Sequence, residues 1–162
     1  MWKILAMIFT GVIVSFYYFP FEFSFLPGIN TKMGLAVLGV AIAVFSLSKK
    51  RETVLPPNVM RIFFAAVLVS IIGVFSVIFN NTPDYAYATY CVSMLVWLSA
   101  AYAVCHLIKL VHGELNIDLV TIYLVCVCVF QCVAALVIDS NPVVKSFVDT
   151  NIMQDQIFLN EV

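Results

Sequence analysis

The chain has 162 residues, of which 64% are hydrophobic and only 10% are charged, and its formal net charge is -1. Soluble domains carry roughly 45–50% apolar and about 25% charged residues, so this composition excludes a water-soluble globular fold. The small net charge also excludes a basic surface for nucleic acid. We predict an all-α fold: an integral membrane helical bundle of about five transmembrane helices within residues 1–138.

The first predicted span covers about residues 4–19, with Trp2 at one end and Tyr17 and Tyr18 at the other as interfacial aromatic residues. We interpret it as a retained span, because aromatic side chains and Pro20 stand where a signal-peptide cleavage site needs small residues. The other four predicted spans cover about residues 33–47, 62–79, 90–106 and 119–138.

The connection after the first span contains two prolines and a glycine, which end the helix. Phe21, Phe23 and Phe25 alternate with Glu22 and Ser24, a spacing that predicts three rings on one side of an extended segment. We favour an interfacial connection with its rings toward lipid. A loop that contacts a substrate is the alternative.

The basic residues predict the orientation. A loop rich in Lys and Arg stays in the cytoplasm, and the densest such loop lies at residues 48–52. An inside N-terminus and an outside C-terminus place six basic residues in the cytoplasm and two outside. The inside set is Lys3, Lys49, Lys50, Arg51, Arg61 and Lys109, and the outside set is Lys32 and Lys145.

The C-terminal tail, residues 139–162, is predicted to be external. Asn141 followed by Pro142 is a helix-start signal, because an acceptor side chain precedes proline at the first helical position. An apolar stripe at helical spacing follows and predicts a short amphipathic helix with weakly ordered chain after it. The stripe consists of Val143, Val144, Phe147 and Val148.

Residues that carry chemistry are sparse in the predicted spans. The spans contain no Asp, Glu, Lys or Arg, which argues against an ion-coupled transporter or a pump. Gln131 is predicted to hydrogen-bond a neighbouring helix, since an unpaired amide in hydrocarbon is costly. Small residues recur four apart in each span, which makes close helix packing feasible. These pairs are Gly11 and Ser15, Gly39 and Ala43, Ala66 and Ser70, Ser99 and Ala103, and Cys128 and Cys132.

Two groups of residues suggest reactive sites, and a structural role is favoured for each. The five cysteines lack a Cys-x-x-Cys pair, and three lie mid-span where a thiolate is disfavoured, so small packing residues are favoured over a thiol oxidoreductase. His106, His112 and Glu114 are favoured as the polar inner end of a helix over a metal site. We therefore predict no metal and no cofactor, and we assign no catalytic residue.

Residues 19–33, FPFEFSFLPGINTKM, resemble the start of O-antigen ligase/polymerase-like membrane proteins. In that family an aromatic-proline-glycine hairpin follows the first span. The resemblance implies a glycosyl-transfer fold for undecaprenyl-linked sugar chains at the outer face of the bacterial inner (cytoplasmic) membrane, in assembly of cell-envelope polysaccharide.

The family's catalysis is associated with basic and histidine residues in a large external loop farther downstream, and no residue here matches that motif. The resemblance therefore implies an N-terminal membrane part that is inactive alone, and it leaves open whether the chain is an enzyme. Expected partners are the lipid bilayer and an undecaprenyl-linked glycan or a partner membrane protein. The alternative function is a free-standing small membrane subunit or scaffold without catalytic activity.

Overall fold

A computed structural model describes residues 2–25, 28–48, 57–81 and 86–153 of the chain. These residues form six helices and two short strands. In chain order they are α1 (Trp2–Tyr18), β1 (Glu22–Phe23), α2 (Thr31–Ser48), α3 (Pro57–Asn80), α4 (Ala86–His112), α5 (Ile117–Ser140), α6 (Pro142–Asn151) and β2 (Ile152–Met153).

Among the described residues, three helical segments are long and apolar enough to cross a membrane: Met60–Asn80, Thr89–His112 and Ile117–Ser140. The other two apolar helices, α1 and α2, are shorter. At 1.5 Å per residue, the 17 residues of α1 extend about 25 Å, against a hydrocarbon core of ~30 Å. The fold is thus helical with three candidate membrane helices, and the predicted number of about five spans is not confirmed.

The turn between α4 and α5 is capped on both sides. Gly113 ends α4 with a φ of 83°, in the left-handed region that favours glycine, and its amide donates to the Lys109 carbonyl at 2.8 Å. The side chain of Asn116 accepts from the Leu119 amide at 2.8 Å and caps α5. Asp118 lies in the first turn of α5, near the positive end of the helix.

The chain divides into two compact units. Unit 1 comprises residues 1–35 and 104–162, and unit 2 comprises residues 36–103. Fully buried side chains of unit 1 include Val14 on α1 and Ile108 on α4, at 1% and 0% exposure. In unit 2, Ala100 of α4 is 0% exposed.

Unit 2 brings together two of the small residues noted in the sequence. Gly39 of α2 faces the backbone of Ser99 on α4, so closely that an added Cβ would lie 2.7 Å from the Ser99 carbonyl carbon. No side chain fits between the two backbones, because real Cβ atoms do not approach to that distance. Gly11, by contrast, has no such neighbour within 4 Å.

The fold also contains a two-stranded antiparallel sheet, which the predicted all-α class did not include. β1 pairs with β2, with Glu22 opposite Met153 and Phe23 opposite Ile152. The pairing joins the connection after α1 to the end of α6. The alternation at residues 21–25 predicted an extended segment where β1 lies, but it could not identify β2, because the partner strand lies far along the chain.

The helix of the C-terminal tail lies where the capping signal predicted it. Asn141 accepts from the amides of Val143 and Val144, at 3.0 and 3.4 Å, and Pro142 occupies the first turn. Several predicted features lie outside the described residues: the basic loop at 49–52, residues 26–27 of the connection after the first span, and the tail beyond residue 153.

Candidate functional site

The connection between α1 and α2 is a closed hairpin rather than a loose linker. The Thr31 amide donates to the Phe21 carbonyl at 3.0 Å, and the Phe21 amide donates to Thr31 Oγ1 at 3.3 Å. Thr31 Oγ1 itself donates to the Phe16 carbonyl at 3.3 Å. One threonine therefore joins the end of α1, the hairpin and the start of α2.

Glu22 and Asn30 close the hairpin farther from the helices. The two residues form an antiparallel bridge, and Glu22 Oε2 accepts from the Gly28 amide at 3.3 Å. Gly28 has a φ of 84°, which a side chain would strain. Asn30 Oδ1 accepts from the Met33 amide at 2.9 Å and so caps α2. The Glu22 carboxylate is thus engaged by backbone within its own hairpin.

Four phenylalanine rings form a continuous row from α1 along the hairpin. The centroids of Phe16 and Phe21 are 5.5 Å apart, and those of Phe21 and Phe23, and of Phe23 and Phe25, are 5.0 Å apart. The prediction that Phe21, Phe23 and Phe25 lie on one side is therefore confirmed. Phe25, at the outer end of the row, is 72% exposed.

Lys32 brings a cation to the same end of α1. Its Nζ lies 5.1 Å from the centroid of the Tyr17 ring, within cation–π range. The hairpin therefore presents a row of apolar rings and a positive charge at the junction of α1 and α2. These two features suit a ligand that is apolar at one end and anionic at the other.

The end of α6 packs its backbone against this hairpin. Ser24 uses both of its donors: its amide donates to the Asn151 carbonyl at 3.1 Å and its hydroxyl to the Thr150 carbonyl at 2.9 Å. Together with the β1–β2 pairing, these bonds fix the hairpin to the C-terminal part of unit 1.

A chain of hydrogen bonds connects α4, α5 and α1 within unit 1. His112 Nε2 lies 3.1 Å from the Tyr123 hydroxyl, and the Thr10 side chain lies within hydrogen-bonding reach of that hydroxyl. Thr10 Oγ1 also donates to the Ala6 carbonyl at 2.8 Å. The His112 and Tyr123 rings meet edge to face, with centroids 5.8 Å apart. These contacts bring the end of α4, α5 and α1 together.

A second polar contact joins α1 and α5. Gln131 Nε2 donates to Ser15 Oγ at 2.9 Å, which confirms the predicted role of Gln131. Thr10 and Ser15 are 2% and 9% exposed, so both contacts lie inside the helix interface. Residue numbers increase along both helices from the Thr10–Tyr123 contact to the Ser15–Gln131 contact. α1 and α5 therefore run parallel.

The structure does not assemble the alternative reactive sites from the residues that it describes. No group of three His, Cys, Asp or Glu side chains in the described ranges could hold a metal ion. His106 and His112 are six residues apart on α4, which turns them to different faces. The described chain has all five cysteines free; Cys126 and Cys132 are exposed, and Cys91, Cys105 and Cys128 are half-buried. A packing role therefore fits the three half-buried thiols better than the two exposed ones.

The composition and the three long apolar helices are those of a membrane protein. Comparison with protein-family models, curated proteins and solved structures gave no match.

Proposed function

We propose that the chain is the N-terminal membrane part of an O-antigen ligase/polymerase-like protein of the bacterial inner membrane, and that it is inactive alone. The observation that carries this proposal is the hairpin at residues 19–33, whose sequence resembles the family's opening hairpin. Its folded character supports the proposal, because backbone and side-chain bonds close it from Phe16 to Met33.

The hairpin offers the chemistry that an undecaprenyl-linked glycan needs. A polyisoprenoid chain is apolar and suits the ring row formed by Phe16, Phe21, Phe23 and Phe25. Its pyrophosphate is anionic and suits a lysine, which acts on phosphate as a point charge. Lys32 is the cation nearest this row in the described hairpin. The role proposed for this part of the protein is to hold the donor, not to transfer the sugar.

Photocrosslinking tests this function. The chain is reconstituted in liposomes with a diazirine-bearing undecaprenyl pyrophosphate disaccharide. We expect label in the peptide that contains residues 19–33, and no turnover of the glycan. Lys32→Gln should lower the labelling yield at least about threefold, because it removes the charge near the pyrophosphate.

Lys145→Gln is the matched control, since Lys145 is exposed on α6 and lies outside the hairpin. It should leave the yield unchanged. A diazirine phospholipid of similar chain length measures labelling by ordinary lipid. Equal labelling of the hairpin by both probes, or an equal loss in the two lysine variants, would contradict the proposed function.

A free-standing membrane subunit or scaffold is the second candidate. It is favoured by the polar side chains Thr10, Ser15, Tyr123 and Gln131, which are used to join helices rather than presented to a ligand. This function predicts a defined oligomer or a stable partner that copurifies in native nanodiscs. A monomer without a partner, measured by mass photometry, would count against it.

A further inference from the structure

The amphipathic helix α6 has only part of its apolar surface covered. It follows α5 after a single residue, and Val144 and Val148 on one of its faces are half-buried. Val143 and Phe147, one helical turn apart on the neighbouring strip, are 76% and 66% exposed. Lys145 lies on the opposite face of the helix and is exposed. An apolar strip is thus left beside the helix's own packing surface.

The depth of this strip follows from the parallel helices of unit 1. Ser15 and Gln131 are at the same level, because they are hydrogen-bonded. From there α1 continues to Tyr18, about 4.5 Å, whereas α5 continues to Ser140, about 13.5 Å, at 1.5 Å per residue. The end of α5 therefore stands about 9 Å beyond the end of α1.

α6 connects the end of α5 to the hairpin that follows α1. It begins directly after α5, and at its other end the Asn151 carbonyl accepts from Ser24 in the hairpin that follows α1. The β1–β2 pairing holds the same end. α6 therefore runs from the end of α5 to the hairpin that follows α1, at this end of both helices.

We propose that α6 is seated in the headgroup–acyl boundary of the lipid bilayer, with Val143 and Phe147 inserted among the lipid chains. Amphipathic interfacial helices sit about 5–10 Å into this boundary, which is the depth of the step. Leu136 and Val137 near the end of α5 are also apolar and exposed, at 69% and 50%. The occupant is lipid, because α6 directly follows a helix, α5, that is long and apolar enough to cross a membrane.

The charges of α6 sharpen the proposal. The helix carries one lysine, Lys145, and one aspartate, Asp149, so it has no net charge to attract anionic headgroups. Insertion is therefore driven by apolar burial. The depth of α6 should be the same in zwitterionic vesicles and in vesicles that contain phosphatidylglycerol.

Tryptophan quenching tests the depth. Phe147→Trp and, as its matched control, Lys145→Trp are made in the full chain with Trp2→Phe and Trp97→Phe, and are reconstituted in phosphatidylcholine vesicles. Lipid brominated near the headgroup end of its acyl chains should remove about half or more of the emission in Phe147→Trp. Bromine near the chain ends should remove less, and aqueous acrylamide should quench Lys145→Trp more strongly than Phe147→Trp.

Two results would overturn the proposal. Equal acrylamide quenching of Phe147→Trp and Lys145→Trp would mean that the apolar strip lies in water. Protection of Phe147→Trp from acrylamide and from both brominated lipids would mean that protein, such as a second copy of the chain, covers it. Val143→Trp repeats the measurement on the same strip, so a folding defect in one variant does not leave the proposal untested.

Discussion

The two compact units hold their helices together by different means. In unit 1, α1 and α5 are joined by polar side chains, with Gln131 donating to Ser15 and with Tyr123 beside Thr10. In unit 2, α2 and α4 approach so closely at Gly39 and Ser99 that backbone meets backbone. Apolar lipid gives helices no hydrophobic reason to associate, so both solutions replace that driving force.

Because of this difference, the two helix interfaces should be sensitive to different substitutions. The α2–α4 crossing has no room for added atoms but requires no particular hydrogen-bonding group. The α1–α5 interface depends on particular donors and acceptors, each worth little alone, because polar contacts between membrane helices average about 0.6 kcal/mol. Larger side chains at the α2–α4 crossing should therefore disrupt unit 2. Loss of hydroxyl or amide groups between α1 and α5 should weaken unit 1.

The largest effect is expected for Gly39→Leu. Even a Cβ at this position would overlap the Ser99 carbonyl, so the helices must separate, at a cost of about 3 kcal/mol or more. Unfolding in a titration of dodecyl sulfate against mild detergent measures the loss. Gly11→Leu is the control, because a Cβ at Gly11 has no neighbour within 4 Å. Equal losses in the two variants would show that the crossing is not close-packed.

Tyr123→Phe should have an intermediate effect of about 1 kcal/mol on the same unfolding free energy. It removes the hydroxyl that connects His112 to Thr10 and leaves the ring in place. Nitrogen NMR of the His112 ring should change, because Nε2 loses the hydroxyl that it contacts. Tyr18→Phe, which keeps its ring contact with Tyr17, is the control. An unchanged imidazole spectrum would mean that His112 and Tyr123 are not hydrogen-bonded.

A double-mutant cycle of Ser15→Ala and Gln131→Leu should give a coupling energy of about 0.6 kcal/mol, the average for polar contacts between membrane helices. The two side chains form one bond, so the double variant should lose less than the sum of the single losses. Additive losses would mean that Gln131 is satisfied elsewhere in the folded protein.

The smallest effect is expected for Ser24→Ala, a few tenths of a kcal/mol, because the bond that it removes is exposed. Hydrogen exchange should nevertheless rise at the amides of β1 and β2, where the sheet loses one of its supporting bonds. Ser140→Ala, which removes a hydroxyl bonded within its own helix, is the control. Unchanged exchange at β1 would show that pairing does not depend on Ser24.

Local patterns predicted several features of the site. The cost of an unpaired amide in an apolar helix was enough to predict that Gln131 bonds another helix. Alternation within five residues placed three phenylalanine rings on one side. The Asn141-Pro142 signal marked the start of α6. In each case the cause lies within a few residues of the effect.

Other features depend on contacts that the sequence does not encode locally. The β1–β2 pairing brings together residues such as Ser24 and Thr150, which are 126 positions apart. The chain from His112 through Tyr123 to Thr10 was missed, because the sequence offers no signal that aligns three helices. A hydroxyl-bearing residue on each of two apolar helices was the only available hint, and it identifies no partner.

The long reach of the β1–β2 pairing has a consequence for biogenesis. The hairpin after α1 is synthesised early, but its sheet partner follows α6, so the hairpin's strand edge stays open while α2 to α6 are made and inserted. Pairing across such a sequence separation forms late, because its loop must first be closed. A disulfide engineered between β1 and β2 would thus report how far insertion has proceeded. It should form only in chains in which α6 has been synthesised.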